Sequence, residues 1–288
     1  MFIAAIILAV VACVSLMVVV LARMRWDRAM TTLHSEMDSE LEEPTKQRVD
    51  FATELRDLPA PVRRYFEVVL TDGMSIITAA HIKHRGEFDL GDTEPRWVPF
   101  TSNQRVSTNR PSFVWDAWMK MAPGLSVFVC DAYVAGRGHL FAKLLGLVTV
   151  MRQPASSLLD LGELMRYCAE STWYPTALLP SQGVRWEPLG EDRAIARFED
   201  GQLSTELEFV FGEDGFITSV HSAKRPKGVG DALIPSPWRG DFAEYRREGD
   251  VMVPTRGEVA WILEDGTRRP YWRGEILDII YTSCTQTV

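Results

Sequence analysis

Apolar and polar positions follow three different rhythms along the chain. From Phe2 to Ala22 the sequence FIAAIILAVVACVSLMVVVLA runs 21 residues without a charge. At about 1.5 Å rise per residue, a helix of that length crosses a hydrocarbon core of ~30 Å, so a membrane-spanning anchor is expected over residues 1–24. Next, Trp26, Met30, Leu33, Met37 and Leu41 recur at intervals of 4, 3, 4 and 4. That is one apolar helical stripe, and it predicts a stalk or linker over residues 25–57. The stripe covers little more than two heptads, short of a sustained coiled coil, so packing on its own domain is favoured over a dimer zipper. Acidic residues from Glu36 to Glu43, closed by Pro44, mark a linker boundary.

The remainder, residues 58–288, reads as one domain. Pro59 and Pro61 fit a first helical turn, after which Val62, Phe66, Val69 and Leu70 form an apolar face and Thr71-Asp72-Gly73 stops the helix. Beyond Ser75 the period shifts toward two. Strands are expected at residues 76–88, 96–107, 113–119 and 126–134, then at 194–198, 203–211, 216–223, 241–246, 252–263 and 269–281. Asp200-Gly201, Asp214-Gly215 and Asp265-Gly266 fall between them, and Asp-Gly is favoured in tight hairpin turns that need positive φ. Between the two strand series, residues 140–147 and 156–170 read as helices, a helical insert near 139–180. Short turns between successive strands imply antiparallel pairing, and no strand–long helix alternation argues for a parallel fold. The expected class is α+β: an N-terminal transmembrane helix, then one large curved antiparallel sheet with a few helices packed on it. Residues 203–211 alternate cleanly, as for a sheet with one wet face. In the last strand Trp272, Ile276 and Ile280 oppose Leu277, Ile279 and Tyr281, which predicts an end that is apolar on both faces.

Charge sets the address and removes some partners. Arg23, Arg25 and Arg28 follow the apolar run and no Lys or Arg precedes it, so the positive-inside rule favours a single-pass cell-membrane protein with its domain on the cytoplasmic side. A cleaved signal peptide would carry a basic n-region and a shorter apolar part. Val10-Val11-Ala12-Cys13 resembles a lipobox, but the apolar run continues past it. With 31 Lys and Arg against 39 Asp and Glu, the net charge of −8 disfavours a nucleic-acid partner. Cys130, Cys168 and Cys284, outside the anchor, form an odd and widely spaced set, better read as reduced thiols than as a disulfide framework.

Catalytic signatures are missing: no Gly-x-Ser-x-Gly, no phosphate-binding Gly-rich loop, no His-Glu-x-x-His and no Cys-x-x-Cys. No cofactor or metal is therefore expected. His81 and His84 are three apart in a strand-like run, where odd offsets put side chains on opposite faces. The most informative polar cluster lies in the 156–170 helix, where Glu163, Arg166, Tyr167 and Glu170 share a face at i, i+3, i+4 and i+7. Trp173 and Tyr174 follow directly. An ion-paired stripe tying helix to sheet is the plain reading of that cluster, and ligand binding by Glu163, Arg166, Tyr167, Glu170, Trp173 and Tyr174 the functional one. Nine tryptophans are either sheet packing or the lining of an apolar pocket.

Leu58-Pro59 with Arg64-Tyr65-Phe66, Arg96-Trp97-x-Pro99-Phe100 with Gln104, Asp131-x-Tyr133-x-x-Gly136-x-Gly138, and Gly162-Glu163-Leu164-x-Arg166-Tyr167-x-Ala169-Glu170 carry a family resemblance. Trp173-Tyr174-Pro175, Trp238-x-Gly240, Gly257-Glu258-Val259-x-Trp261 and Tyr271-Trp272-Arg273-Gly274 extend it. Together they resemble a bacterial family of membrane-anchored proteins of unknown function. The layout is distantly similar to the LolA/LppX lipoprotein-carrier fold, which implies a curved sheet enclosing lipid against helices. The first expectation is thus a binding module for a lipid or other apolar ligand, held at the bilayer through residues 2–22. Two alternatives stand beside it: a hydrolase or transferase on a membrane-derived substrate using Glu163 or Glu170, and a structural or signalling domain that dimerises through Trp26 to Leu41.

Overall fold

A computed structural model describes residues 2–39, 48–91, 93–230 and 232–283, apart from the side chains at positions 11, 12 and 15. Leu41, Glu43, Pro44 and Cys284, which entered the expectations above, lie outside the described residues. Helices α1 (Phe2–Ser39), α2 (Phe51–Glu54) and α3 (Ala60–Val69) open the chain. The strands β1 (Ile77–Asp89), β2 (Trp97–Ser107), β3 (Ser112–Ala122), β4 (Leu125–Val134), β5 (Arg137–Leu144) and β6 (Val148–Arg152) follow. Helix α4 (Ser157–Glu170) and three short 3₁₀ turns then lead to β7 (Arg185–Pro188), β8 (Arg193–Asp200), β9 (Leu203–Phe211) and β10 (Ile217–Val229). The chain closes with β11 (Ala232–Glu248), β12 (Val251–Ile262) and β13 (Arg268–Ser283).

All thirteen strands join one antiparallel sheet in the order β6-β5-β4-β3-β2-β1-β13-β12-β11-β10-β9-β8-β7. The first six strands step outward to one edge. The chain then crosses the sheet through α4, restarts at the opposite edge with β7, and steps back until β13 pairs with β1. A sheet this wide curls under its own twist, and α4 fills the trough, touching β4 and β5 of one wing and β9, β10 and β11 of the other. Ser156 caps α4 by accepting from the Leu159 amide at 3.2 Å, and the Gly138 amide donates to Asp160 Oδ1 at 2.7 Å. Gly138 lies so close to the helix that a Cβ there would meet the Leu159 backbone at 2.9 Å.

The main core lies on the trough side and under α3, where Tyr65 and Phe66 are fully buried. A second, smaller core forms on the outer face. There Trp26, Met30, Leu33 and Met37 of α1 pack against Val114, Cys130, Ala132, Val134 and Phe141. The Trp26 ring meets Phe128 and Phe141 edge-on at 5.4 and 5.6 Å, and its Nε1 donates to Asp116 Oδ1 at 2.9 Å. Burial raises the Asp116 pKa to about 6, a rise offset in part by that hydrogen bond. Helix α1 runs unbroken from Phe2 to Ser39 across the expected boundary between residues 24 and 25, and its stripe from Trp26 to Met37 packs on its own sheet. Among the described residues no helix is long and apolar enough to cross a membrane. What α1 does carry is a run of outward apolar side chains from Phe2, 84 % exposed, through Leu8, Leu16 and Leu21.

Two further expectations change. Residues 140–147, read as helix, form most of β5 and the turn after it: Leu140 and Leu144 pair with Asp131 and Val127 of β4. Their apolar spacing was compatible with either period, and pairing with a neighbouring strand decided it. The last strand carries apolar side chains on both faces, but its phase changes part-way and the second face is exposed. The β1–β13 register slips between Lys83↔Asp278 and His84↔Ile276, so Leu277 bulges out and the alternation changes phase there. Ile276 and Ile279 are both buried, whereas Leu277 and Ile280 are 46 % and 57 % exposed.

Candidate ligand-binding site

Between the sheet wings, α4 leaves a cavity of about 790 Å³, within the ordinary range for a small-molecule pocket. One wall is aliphatic: Met119, Met121, Val127, Val129, Leu140, Ala142 and Val150, from β3 to β6. The opposite wall is aromatic: Trp238, Phe242, Trp261, Tyr271 and Trp272, from β11 to β13. Aromatic strand residues can lie flat here because the backbone beneath them is bare. Gly86, Gly274 and Gly257 are adjacent in register across β1, β13 and β12. A Cβ on Gly274 would strike the Trp272 ring at 2.8 Å, and one on Gly86 would meet the Arg273 carbonyl oxygen at 2.1 Å. Glycine at these two positions is a requirement of close approach.

A polar spine crosses the apolar walls. Arg166 donates to Glu170 Oε1 at 2.8 Å and to Asp131 Oδ2 at 2.5 Å, and lies over the Phe113 and Trp115 rings at 4.8 and 5.2 Å. Gln104 Nε2 donates to Glu170 Oε2 at 2.6 Å. Glu163 is 5 % exposed, and its pKa is pushed well above the usual carboxylate range, by burial first and then by the charge of Asp131 and a hydrogen bond with it. Burial and the neighbouring carboxylate thus favour its protonated form, against the opposing charges of Arg225 and Arg166. A second arginine, Arg225, sits across the cavity against Trp238 and Trp261, at 5.0 and 5.8 Å. It donates from Nη1 to the Tyr271 hydroxyl at 3.0 Å, and Trp238 Nε1 donates to the same oxygen at 2.9 Å.

Of the six residues singled out in the sequence, four reach this cavity: Glu163, Arg166, Glu170 and Trp173. Tyr167 and Tyr174 do not. The Tyr174 hydroxyl donates to the Tyr167 carbonyl at 2.8 Å, the two rings lie 5.4 Å apart, and both sit in the main core. Tyr167 shares a helical face with Glu163 on spacing alone, but the i+4 offset turns it toward the core side of that face. His81 is exposed and His84 is buried, as strand alternation requires. His84 Nδ1 is 3.3 Å from Ser102 Oγ, and burial lowers its pKa to about 3, with the Arg166 charge assisting. Among the described residues no cluster of His, Cys, Asp and Glu could hold a metal ion. Sequence reasoning missed Asp131 and Arg225 as site residues. They lie on strands remote in sequence from α4, and only the closure of the two wings brings them to it.

The sequence profile of a family of unknown function, DUF6920, matches residues 56–281. The chain belongs to that family. Of the residues that carry the resemblance, Gln104, Asp131, Glu163, Arg166, Glu170, Trp173, Trp238, Trp261, Tyr271 and Trp272 lie in or beside the cavity, whereas Tyr65, Phe66, Tyr133, Tyr167 and Tyr174 lie in the main core. No curated protein matches the chain. Among solved structures it is similar to a domain provisionally assigned to outer membrane lipoprotein sorting from Vibrio parahaemolyticus, at 11 % identity and a TM-score of 0.40, covering 73 % of this chain and 87 % of that one. It is also similar to a LolA superfamily protein from Nitrosomonas europaea, at 9 % identity and a TM-score of 0.34, covering 78 % and 94 %. A DUF1329 family protein from Desulfovibrio piger aligns at 12 % identity with a TM-score of 0.35, covering 71 % and 86 %.

Proposed function

We propose that this DUF6920 member is a membrane-anchored module that binds a lipid or other apolar ligand between its sheet and α4. The observation that carries this reading is the cavity of about 790 Å³ with an aliphatic wall on one side and an aromatic wall on the other. An interior of this size left open forgoes the packing that normally fills a core, which is reasonable only if a guest supplies the missing contacts. The outward apolar run of α1 supports a bilayer tether through residues 2–22, and the arginines after it favour the cytoplasmic side. The end of that run meets the cavity wing: a Cβ on Gly146, in the β5–β6 turn, would lie 3.2 Å from the Ala22 carbonyl oxygen. Val148 and Val150 on the neighbouring edge strand are 61 % and 53 % exposed, and Val150 also lines the cavity. A bilayer holding α1 would thus lie beside the aliphatic wall. The test is binding of the uncharged fluorophore N-phenyl-1-naphthylamine to the full chain and to Ala142→Trp, which fills the aliphatic side. Saturable binding that the variant loses supports the proposal. Binding that Ala142→Trp leaves unchanged removes the cavity from it.

One observation favours a second reading, a hydrolase or transferase. Glu163 is a buried carboxyl beside Asp131 inside a cleft, its pKa raised by burial, the arrangement a general acid requires. Glu163→Gln separates the two readings, since it preserves size and hydrogen bonding: ligand occupancy survives under the first, and turnover of a membrane-derived substrate disappears under the second.

A further inference from the structure

The cavity contains two buried arginines, and they are not equivalent. Arg166 is neutralised by Asp131 and Glu170. Arg225 is 9 % exposed and, among the described residues, has no carboxylate at ion-pair distance. Its Nη1 bonds the Tyr271 hydroxyl at 3.0 Å, its Nη2 reaches the Gly162 carbonyl at a long 3.4 Å, and its Nε has no acceptor. A guanidinium offers five N–H donors, so three of them are unspent. Two indole faces stabilise the cation but accept none of those hydrogens. A clamp joining β10 to β13 and to α4 accounts for the two bonds that are made. It does not account for a guanidinium only 9 % exposed with no ion-pair partner among the described residues. Glu163 is the carboxyl whose field Arg225 feels, the Arg225 charge lowering its pKa against the rise from burial and Asp131, but no ion pair joins the two and Glu163 Oε2 has no hydrogen-bond partner. Lys227, whose Nζ lies 5.4 Å from the Trp261 ring centroid, adds a second cation on the same side of the cavity.

Resting on the binding-module reading above, we infer that Arg225 is the headgroup anchor of the cavity and that the ligand is an anionic amphiphile. Its carboxylate or phosphate pairs with the guanidinium between Trp238 and Trp261, and its hydrocarbon chain lies along the aliphatic wall of β3 to β6. The two walls then have separate tasks. The aromatic side holds a charged head in a frame of fixed donors, and the aliphatic side takes a tail of variable length. A bidentate pairing with a planar guanidinium sets the head's orientation.

The test uses the full chain held in a non-ionic amphipol and three probes of equal chain length: decanoate, decyl phosphate and the uncharged decanol. Affinities are measured by quenching of cavity tryptophan fluorescence. The wild-type chain is expected to prefer at least one anion over decanol by about tenfold or more, the scale of one charge-assisted pair, and the better anion distinguishes a carboxylate head from a phosphate head. Arg225→Gln is expected to bring anion and alcohol to equal affinity while decanol binding is retained, and Arg225→Lys to restore part of the preference. Equal affinity of all three probes for the wild-type chain overturns the inference, as does an anion preference that survives in Arg225→Gln. If Arg225→Gln loses decanol binding as well, the wild-type preference alone decides. Failure of every probe, decanol included, strikes instead at the binding-module reading on which the inference rests.

Discussion

At the scale of single residues, the site is governed by which buried groups keep their charge. Glu163 and His84 are both buried near Arg166, yet burial acts on them with opposite sign, because the charged form is an anion in one case and a cation in the other. Glu163 holds its proton more tightly folded than unfolded, where the reference value is 4.5. Its contribution to stability is therefore present below about pH 4.5 and is lost as the pH rises toward the folded value. Glu163→Gln should be increasingly stabilised relative to wild type as the pH is raised from 4 to 8, measured by urea unfolding at each pH. His84 behaves in the reverse way. Its folded pKa of about 3 lies below the unfolded 6.5, so folding loses stability as the pH falls through that interval. His84→Phe should flatten the acid limb of the same profile. The bare backbone under Trp272 provides a third residue-scale prediction. Gly274→Ala should cost about 1–3 kcal/mol of unfolding free energy and lower the unfolding midpoint accordingly, since the added methyl has to displace the Trp272 indole. An unchanged midpoint would mean that the ring is free to move.

Among elements, α1 spends its apolar stripe on its own domain, as the shortness of that stripe favoured. Its stripe was legible as helix, and its partner turned out to be the outer face of β3 to β5. Trp26→Ala should cost about 3–5 kcal/mol of docking and expose the α1–sheet seam to limited proteolysis, while the trough and its cavity remain intact. The turn residues made the hairpins readable: Asp-Gly pairs named where strands end, and the strand expectations at 203–211 and 252–263 fall within a residue of β9 and β12. β5 and β6 were not legible. A short apolar run such as Leu140 to Leu147 fits both a helix and a strand, and only a pairing partner such as Val127 resolves it. The Leu277 bulge was hidden for a similar reason, since a phase change in one strand is set by the register of its neighbour. The candidate site was half legible. Local spacing found Glu163, Arg166 and Glu170 on one helix, whereas Asp131 and Arg225 reach them only through strand order.

Over the whole molecule, one continuous sheet creates a trough that a single helix cannot fill, and the unfilled volume is lined by two chemically different walls. The meander makes this possible. Its two halves leave the centre in opposite directions, so the aliphatic wing and the aromatic wing face each other across α4 without any domain boundary. The apolar run at the start of α1 ends beside the aliphatic wing, at Ala22 and Gly146, so the proposed tether would give a bilayer-derived ligand a short route inward. Mass spectrometry of the intact full chain, released from a non-ionic detergent under native conditions, tests this most directly. The account predicts one co-purifying amphiphile per chain, retained in the wild type and lost in Ala142→Trp. A wild-type chain that is repeatedly empty, or an adduct that persists unchanged when the aliphatic wall is filled, would contradict it.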